Sequence, residues 1–206
     1  MNIENYINIE LPKVPGWCCA EKAKKMYDLI TLENLQLCVE IGVFGGSSFF
    51  PQAIAMSKKK SGLVFGVDPW STDCALEDMT NEANKNWWSS LDLNSIYSNF
   101  LKTMTKYGVN NFCKIFRDKS SNVVSNFEDN TIDMLHIDGN HCERLALEDA
   151  VFYLPKVKSG GYIFFDDTTW IESGTVASTQ KGLLHIQKSC KEIAIIGKDC
   201  LLLQKI

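Results

Sequence analysis

The chain passes from an apolar run into a glycine-rich loop in the stretch Val39-Glu40-Ile41-Gly42-Val43-Phe44-Gly45-Gly46-Ser47-Ser48. Glycines at such a place permit tight turns and let backbone N–H groups come close to a ligand. Either serine can cap a helix that follows. The stretch therefore predicts a strand, a loop and a helix, with a binding edge where the strand ends.

The same alternation recurs along the chain. Strands are predicted at 36–41, 62–67, 112–116, 132–137 and 162–165, and helices at 21–32, 47–57, 95–107, 120–127, 143–154 and 180–190. Two short apolar runs, 193–196 and 201–203, predict a closing pair of strands. Strands that alternate with helices indicate an α/β fold with a doubly wound, mainly parallel sheet.

The length of 206 residues favours a single domain, 1–206. Residues 1–34 are expected to form an N-terminal arm and helix, with 1–17 irregular. Residues 71–92 are polar and predict no regular structure, so we interpret them as a lid-like insertion. A loop of that length in a compact domain is usually functional or disordered.

Composition excludes several function classes. The net charge of -4 gives no reason to expect a nucleic acid or an anionic membrane as partner. No apolar run is long enough to span a bilayer, and the start of the chain lacks the features of a secretory leader. The eight cysteines include no CxxC pair, so reduced, buried thiols are expected rather than structural zinc. We expect a cytoplasmic protein.

The first glycine loop suits a nucleotide-like cofactor other than a dinucleotide. Gly42 and Gly45 are three residues apart, which differs from the GxGxxG fingerprint. Glu40 at the strand end suits the ammonium of S-adenosylmethionine better than a pyrophosphate. Asp68, after the second strand, can accept ribose hydroxyls. Asp118, after the third, can receive an adenine amino group or simply cap a helix, and both roles stay open.

Aromatic residues flank the predicted lid. Trp70 directly follows Asp68-Pro69, and Trp87, Trp88 and Tyr97 lie in or just after the lid. They predict aromatic walls that stack on adenine or on a sugar ring, or else ordinary core packing. Trp70 is the best candidate among them for a cofactor contact.

The ordered strand ends together carry a family resemblance. Glu40-Ile41-Gly42 with Gly45, then Asp68, then Asp118-Lys119-Ser120 resemble class I S-adenosylmethionine-dependent methyltransferases. The stretch 136–141, His-Ile-Asp-Gly-Asn-His, with 160–167, Gly-Gly-Tyr-Ile-Phe-Phe-Asp-Asp, resembles small bacterial enzymes related to macrocin O-methyltransferase and cephalosporin-biosynthesis methyltransferases. The likeness covers about residues 35–170.

The resemblance implies a fold and a cofactor site. The fold would be a Rossmann-like, seven-stranded sheet in the order 3-2-1-4-5-7-6, with strand 7 antiparallel. Homo-oligomers are common in this family, although the sequence gives no interface. The residues expected to bind S-adenosylmethionine are Glu40, Gly42, Gly45, Ser47, Ser48, Asp68, Trp70, Asp118, Ser120 and Asp138.

A second constellation points to the chemistry. Asp138, Asp166 and Asp167 follow the fourth and fifth strands, which the implied topology makes neighbours. Clustered carboxylates repel one another unless a cation is present, and hard oxygen ligands suit Mg²⁺. The resemblance carries the ligand role onto these three aspartates. His141, three residues past Asp138, is expected to be the general base.

A purely structural role is an alternative for each of these side chains. Asp166 or Asp167 can cap a turn, and His141 can cap the helix that begins near Glu143. His136 lies inside a strand and is expected to be a hydrogen-bonded core residue rather than a ligand.

The sequence thus predicts an S-adenosylmethionine-dependent methyltransferase, with divalent-metal-assisted O-methylation of a small hydroxylated or glycosylated acceptor. Alternatives are a metal-independent methyltransferase of the same fold and a non-enzymatic S-adenosylmethionine-binding module. An NAD-dependent oxidoreductase is a third alternative, against which the glycine spacing argues.

Overall fold

A seven-stranded sheet forms the centre of the computed structural model, which describes all 206 residues. The strand order is β3-β2-β1-β4-β5-β7-β6. β7 runs antiparallel to both of its neighbours, and the other pairs are parallel. The strands are β1 Leu37–Ile41, β2 Leu63–Val67, β3 Cys113–Phe116, β4 Ile132–Ile137, β5 Val157–Phe165, β6 Cys190–Ile196 and β7 Cys200–Lys205. The predicted fold class and strand order are confirmed.

Nine α-helices accompany the sheet. They are α1 Ile3–Asn5, α2 Ala20–Leu32, α3 Phe49–Lys59, α4 Thr72–Ala75, α5 Glu82–Ser89, α6 Leu93–Tyr107, α7 Ser120–Val123, α8 Glu143–Tyr153 and α9 Gln180–Gln187. Apolar side chains of α2, α3 and α6 pack on one face of the sheet. Those of α8 and α9 pack on the other. The resulting three layers expose the carboxyl ends of β1, β2, β4 and β5 along one edge.

The lid-like insertion 71–92 is more regular than its composition predicts, since it contains α4 and α5. Tertiary contacts explain the difference. Glu172 Oε1 accepts hydrogen bonds from the backbone N–H groups of Thr80 and Asn81, at 2.7 and 2.6 Å, just before α5. Asn140 Nδ2 donates to backbone carbonyls at the end of α4. Both anchors lie far away in sequence, so local patterns could not reveal them.

The N-terminal arm also departs from the prediction of an irregular segment. Residues 3–13 form consecutive helical turns, with a π-turn at Tyr6–Glu10 and a 3₁₀ turn at Leu11–Lys13. Tyr6 is wholly buried, and its hydroxyl donates to the Ser47 carbonyl at 2.7 Å. The arm is therefore fixed to the end of the glycine loop.

None of the helices combines the length and the apolar character that a membrane crossing needs.

The arm's attachment can be tested at Tyr6. Tyr6→Phe removes only the hydrogen bond to Ser47 and should lower the unfolding free energy by about 1 kcal/mol. Tyr6→Ala also removes the buried ring and should cost about 3–5 kcal/mol. Urea unfolding of both variants measures the two losses. Equal losses for both variants would contradict a packed arm.

Candidate functional site

A cavity of about 620 Å³ opens over the carboxyl ends of β1, β2, β4 and β5. Its walls include the glycine loop, the ends of these strands, part of the insertion 71–92 and the arm residues Gly16, Trp17 and Cys19. Polar and charged side chains lie at its floor, and aromatic rings lie toward the arm and α5. The size falls within the range of small-molecule sites in proteins.

Gly42 allows two strand ends to meet at the floor. Its φ of +82° is a conformation that L side chains rarely adopt, and a Cβ there would lie 1.8 Å from the Asp138 carbonyl oxygen. Its N–H donates to the Val67 carbonyl at 2.9 Å. Only glycine lets the β1 and β4 ends approach this closely.

Asp68 holds the glycine loop in shape. Its Oδ2 accepts the N–H groups of Val43 and Phe44 at 3.0 and 2.8 Å, and its Oδ1 accepts that of Trp70 at 2.7 Å. Burial raises the pKa of this carboxyl despite these three bonds. Phe44 lies in this bonded loop with a φ of 48°, a conformation that non-glycine residues adopt only where the surrounding structure holds it.

Glu40 lies beneath the cavity rather than on its wall, since its side chain is wholly buried. Its carboxylate accepts from Ser48 Oγ at 2.8 Å and from the Gln52 amide. Its Oε2 also lies 3.2 Å from His136 Nδ1. Ser48 is the N-cap residue of α3, but its hydroxyl serves Glu40 and leaves the helix end without a side-chain cap.

A second polar group lies at the far end of the floor. Ser120 Oγ donates to Asp149 Oδ1, and both residues line the cavity. Asp149 is buried, which raises the pKa of its carboxyl to about 7 although the Ser120 bond opposes the shift. Asp149 was not predicted as a site residue. Its signal in the sequence is an acid on the same helical stripe as buried Ala146 and Tyr153.

The part of the floor at the ends of β4 and β5, which we call the chemical end, contains a buried ion pair that sequence reasoning missed. Lys22 of α2 donates to Asp166 Oδ2, and both side chains are under 10% exposed. His136 Nε2 lies 3.0 Å from the same oxygen. The signal for Lys22 is a lysine on the apolar stripe that also contains Met26, Leu29 and Ile30.

Electrostatics set the charges of this group. Burial would suppress ionisation of His136, but its contacts with Asp166 and Glu40 raise its pKa to about 9. Burial opposes the charge of Asp166 as well, yet His136 and Lys22 hold the pKa of its carboxyl well below the usual range. Lys22 keeps a raised pKa because the charges of Asp138 and Asp166 outweigh its burial. His136 is thus a paired core residue.

Three further side chains converge beside this ion pair. Single ligand atoms from Asp138, His141 and Asp167 all lie within 4.8 Å of one another. His141 Nε2 lies 3.1 Å from Asp167 Oδ2, and the Trp170 ring lies 5.0 Å from the His141 ring, centre to centre. Burial and the charge of Asp166 raise the pKa of Asp138 well above its usual value. The nearest cationic nitrogen to the Asp138 carboxylate is His136 Nε2, at 3.9 Å.

Comparison with protein families identifies this architecture. The profile of a family described as "Methyltransferase domain" matches residues 39–168, which include the glycine loop and both acidic strand ends.

The chain belongs to this methyltransferase family. The resemblance to class I S-adenosylmethionine-dependent methyltransferases is confirmed.

Solved methyltransferases share the fold. The O-methyltransferase TomG from Streptomyces achromogenes, in complex with SAM, is 15% identical over 99% of this chain and 86% of its own, with a TM-score of 0.65. A putative caffeoyl-CoA O-methyltransferase from Staphylococcus aureus is 17% identical over 100% and 92%, with a TM-score of 0.67. SAH-bound PaMTH1 from Podospora anserina is 11% identical over 99% and 87%, with a TM-score of 0.68. A comparison with curated protein sequences gives no significant match.

The methyltransferase brings most of the predicted site residues to one cavity. Those on its wall are Gly42, Ser47, Ser48, Asp68, Ser120, Asp138, His141, Asp166 and Asp167. Four lie elsewhere, namely Glu40, Gly45, Trp70 and Asp118.

Physical reasons account for three of these placements. Gly45 packs against the arm so closely that an added Cβ would lie 2.3 Å from the Pro15 carbonyl oxygen. Trp70 turns into the core beside Tyr97, and its indole N–H donates to the Phe44 carbonyl at 2.8 Å. Asp118 is exposed, and its Oδ1 accepts from the Lys119 N–H and from the Asn122 side-chain amide. The N-cap residue of α7 is Lys119, so Asp118 does not cap this helix.

Gly42 offers a test of the cavity floor in the methyltransferase. Gly42→Ala should weaken S-adenosylhomocysteine binding at least tenfold, because the new Cβ would push the β1 and β4 ends apart. Calorimetric titration measures the affinity. Gly108→Ala is the matched control, since Gly108 also has positive φ but has no atom within 4 Å of an added Cβ. The control should cost about 1–2 kcal/mol of stability and leave binding unchanged. Equal affinities for both variants would contradict the proposed role of Gly42.

Proposed function

We propose that this methyltransferase transfers a methyl group from S-adenosylmethionine to an oxygen atom of a small hydroxylated or glycosylated acceptor. The observation that supports this most strongly is the meeting of Asp138, His141 and Asp167 at one end of the cavity. An imidazole held by a carboxylate can accept the proton that an acceptor hydroxyl loses. The O-methyltransferases among the structural neighbours, such as TomG, support the same reaction class.

The rest of the floor suits the cofactor. The glycine loop with Ser47 offers backbone and hydroxyl groups, and Asp68 lies at the end of β2. Ser120 and Asp149 supply polar groups at the far end. Asp138 and Asp167 supply carboxylates without a lysine or arginine partner at the chemical end, where they would stabilise a cationic sulfur and an ammonium. With the cofactor bound, an oxygen–methyl bond forms while the sulfur–methyl bond breaks.

His141 and Asp167 have separate roles in the proposed proton transfer. With the His141 Nε2–H donated to Asp167 Oδ2, Nδ1 carries the lone pair that accepts the hydroxyl proton. Asp167 stabilises the imidazolium that results. The Trp170 ring packs against the imidazole and limits its rotation.

The donor set fits a small divalent ion on the side of Asp138 and Asp167. Both side chains are about one-quarter exposed toward the cavity, and no lysine or arginine pairs with either. Carboxylate oxygens are the ligands that Mg²⁺ prefers. When bound, such an ion would lower the pKa of the acceptor hydroxyl. Asp166 is the less accessible member of the predicted set, because Lys22 and His136 engage its Oδ2.

Aromatic rings near the arm favour an uncharged acceptor with a flat face. Trp17 stacks on Phe44 with ring centres 5.4 Å apart and planes 23° from parallel. Trp87 lies 5.5 Å from Trp17. Trp17 is 68% exposed and Trp87 41% exposed. Large exposed aromatic surface beside a cavity is typical of a binding site for a phenol or sugar ring.

The reaction class can be tested with methyl-labelled S-adenosylmethionine and a panel of phenolic and glycosylated alcohols, with Mg²⁺ or with EDTA. Label should appear as a methyl ether of one acceptor class, and EDTA should lower the rate. Transfer to nitrogen or sulfur acceptors alone would contradict O-methylation. Unchanged rates in EDTA would favour the metal-independent alternative.

His141 should be required for turnover. His141→Ala should lower kcat about a hundredfold, the usual contribution of a general base, with S-adenosylhomocysteine affinity unchanged. His185→Ala is the matched control, since His185 lies on α9 away from the cavity. Steady-state kinetics of both variants measure the effect. A kcat for His141→Ala equal to that of the control would exclude the base role.

Trp17 should govern acceptor binding. Trp17→Ala should raise the acceptor KM about tenfold, because one stacking surface is lost, while Trp17→Phe should recover most of the affinity. The KM for S-adenosylmethionine should stay within about twofold of wild type. If Trp17→Ala raised only the cofactor KM, the aromatic surface would belong to the cofactor.

A further inference from the structure

Lys22 is a buried cation inside an acidic cluster. It belongs to α2, outside the family match at residues 39–168. Its side chain is 6% exposed, yet it lines the cavity and donates to Asp166 Oδ2. A lysine this deeply buried is rare unless a carboxylate pairs with it.

The cluster contains more carboxylates than cationic side chains. Four carboxylates lie at the ends of β1, β4 and β5, namely Glu40, Asp138, Asp166 and Asp167. Two cationic side chains face them. Lys22 pairs with Asp166, and His136 lies between Asp166 and Glu40. Asp138 and Asp167 have no lysine or arginine partner. Together with His141, these two carboxylates form the group whose ligand atoms lie within 4.8 Å of one another.

We propose that Lys22 is the resident cation of this cluster, and that it competes with a divalent ion for the carboxylates of Asp166 and Asp138. Its ammonium occupies Asp166 and therefore confines any ion to the side of Asp138 and Asp167. Helix α2 thus sets how tightly the chemical end binds a divalent ion. The inference rests on the proposed carboxylate site for such an ion, but not on the identity of the acceptor.

The lysine charge has a predictable effect on ion binding. An ammonium a few ångströms from a divalent ion repels it, and this repulsion is strong where water is largely excluded. Replacing Lys22 by methionine keeps an unbranched side chain and removes the charge. Lys22→Met should therefore tighten Mg²⁺ binding about tenfold.

The test is calorimetric titration of the S-adenosylhomocysteine-saturated protein with MgCl₂. Lys24→Met is the matched control, because Lys24 lies on the same helix but is exposed and pairs with Asp28. Tighter Mg²⁺ binding by Lys22→Met than by the control supports the inference. Equal or weaker binding overturns it.

A second variant guards against loss of the fold, because Lys22→Met leaves Asp166 buried without its partner. Lys22→Met combined with Asp166→Asn removes both charges, and its Mg²⁺ affinity should return to within about threefold of wild type. An affinity that stays tenfold tighter overturns the role of the Lys22–Asp166 pair.

The outcomes also separate this inference from the proposed function. If the wild type shows no Mg²⁺ heat but Lys22→Met does, Lys22 replaces the ion and metal assistance is excluded. If neither binds Mg²⁺, the inference is overturned. S-adenosylhomocysteine binding, measured before the metal is added, tests the methyltransferase site on its own.

Discussion

A line of buried charges connects Glu40, His136, Asp166 and Lys22, and the rest of the site depends on it. The four side chains come from β1, β4, the end of β5 and α2. A buried charge without a partner costs several kcal/mol, whereas a paired one is tolerated. Each member of the line therefore requires its neighbours. This requirement fixes together the sheet edge, helix α2 and the start of α3, the last through Ser48 and Gln52.

This constraint divides the floor of the cavity into two parts. The inner part is neutralised by the protein itself, through Lys22 and His136. The outer part, formed by Asp138, Asp167 and His141, stays open to the cavity. Burial and the charge of Asp166 raise the pKa of Asp138, and a nearby cation would favour its ionised form. Carboxyl groups without a resident cation therefore suit a positively charged cofactor and a divalent ion. The same sheet edge thus provides both rigidity and chemistry, and the aromatic residues of the arm and α5 bound the space left for an acceptor.

Much of the fold could be predicted from the sequence because its signals are local. Gly42 follows a short apolar run, and Asp68 and Asp138 follow two others, so each strand end is marked by its own residues. The direction of Trp70 and the burial of Glu40 could not be predicted in this way. Trp70 turns inward because the Phe44 carbonyl accepts its indole N–H, and that carbonyl is 26 residues away. Glu40 belongs to a network whose direct partners come from the start of α3 and from β4.

Lys22 and Asp149 show a second limit of sequence reasoning. Each is a charged residue on the apolar stripe of a helix, which is a visible anomaly. Its meaning depends on what faces it across the fold, and neither Asp166 nor Ser120 is near in sequence. Helices α4 and α5 of the insertion 71–92 could not be predicted for a related reason, since the distant residues Glu172 and Asn140 anchor them.

The position of the bound cofactor product tests the account most directly. A crystal structure with S-adenosylhomocysteine and Mg²⁺ should place the homocysteine at the glycine loop and the ribose at Asp68. The sulfur should lie toward Asp138, with Lys22 still paired to Asp166. S-adenosylhomocysteine bound outside this cavity, or oriented with its sulfur away from Asp138 and His141, would contradict the account.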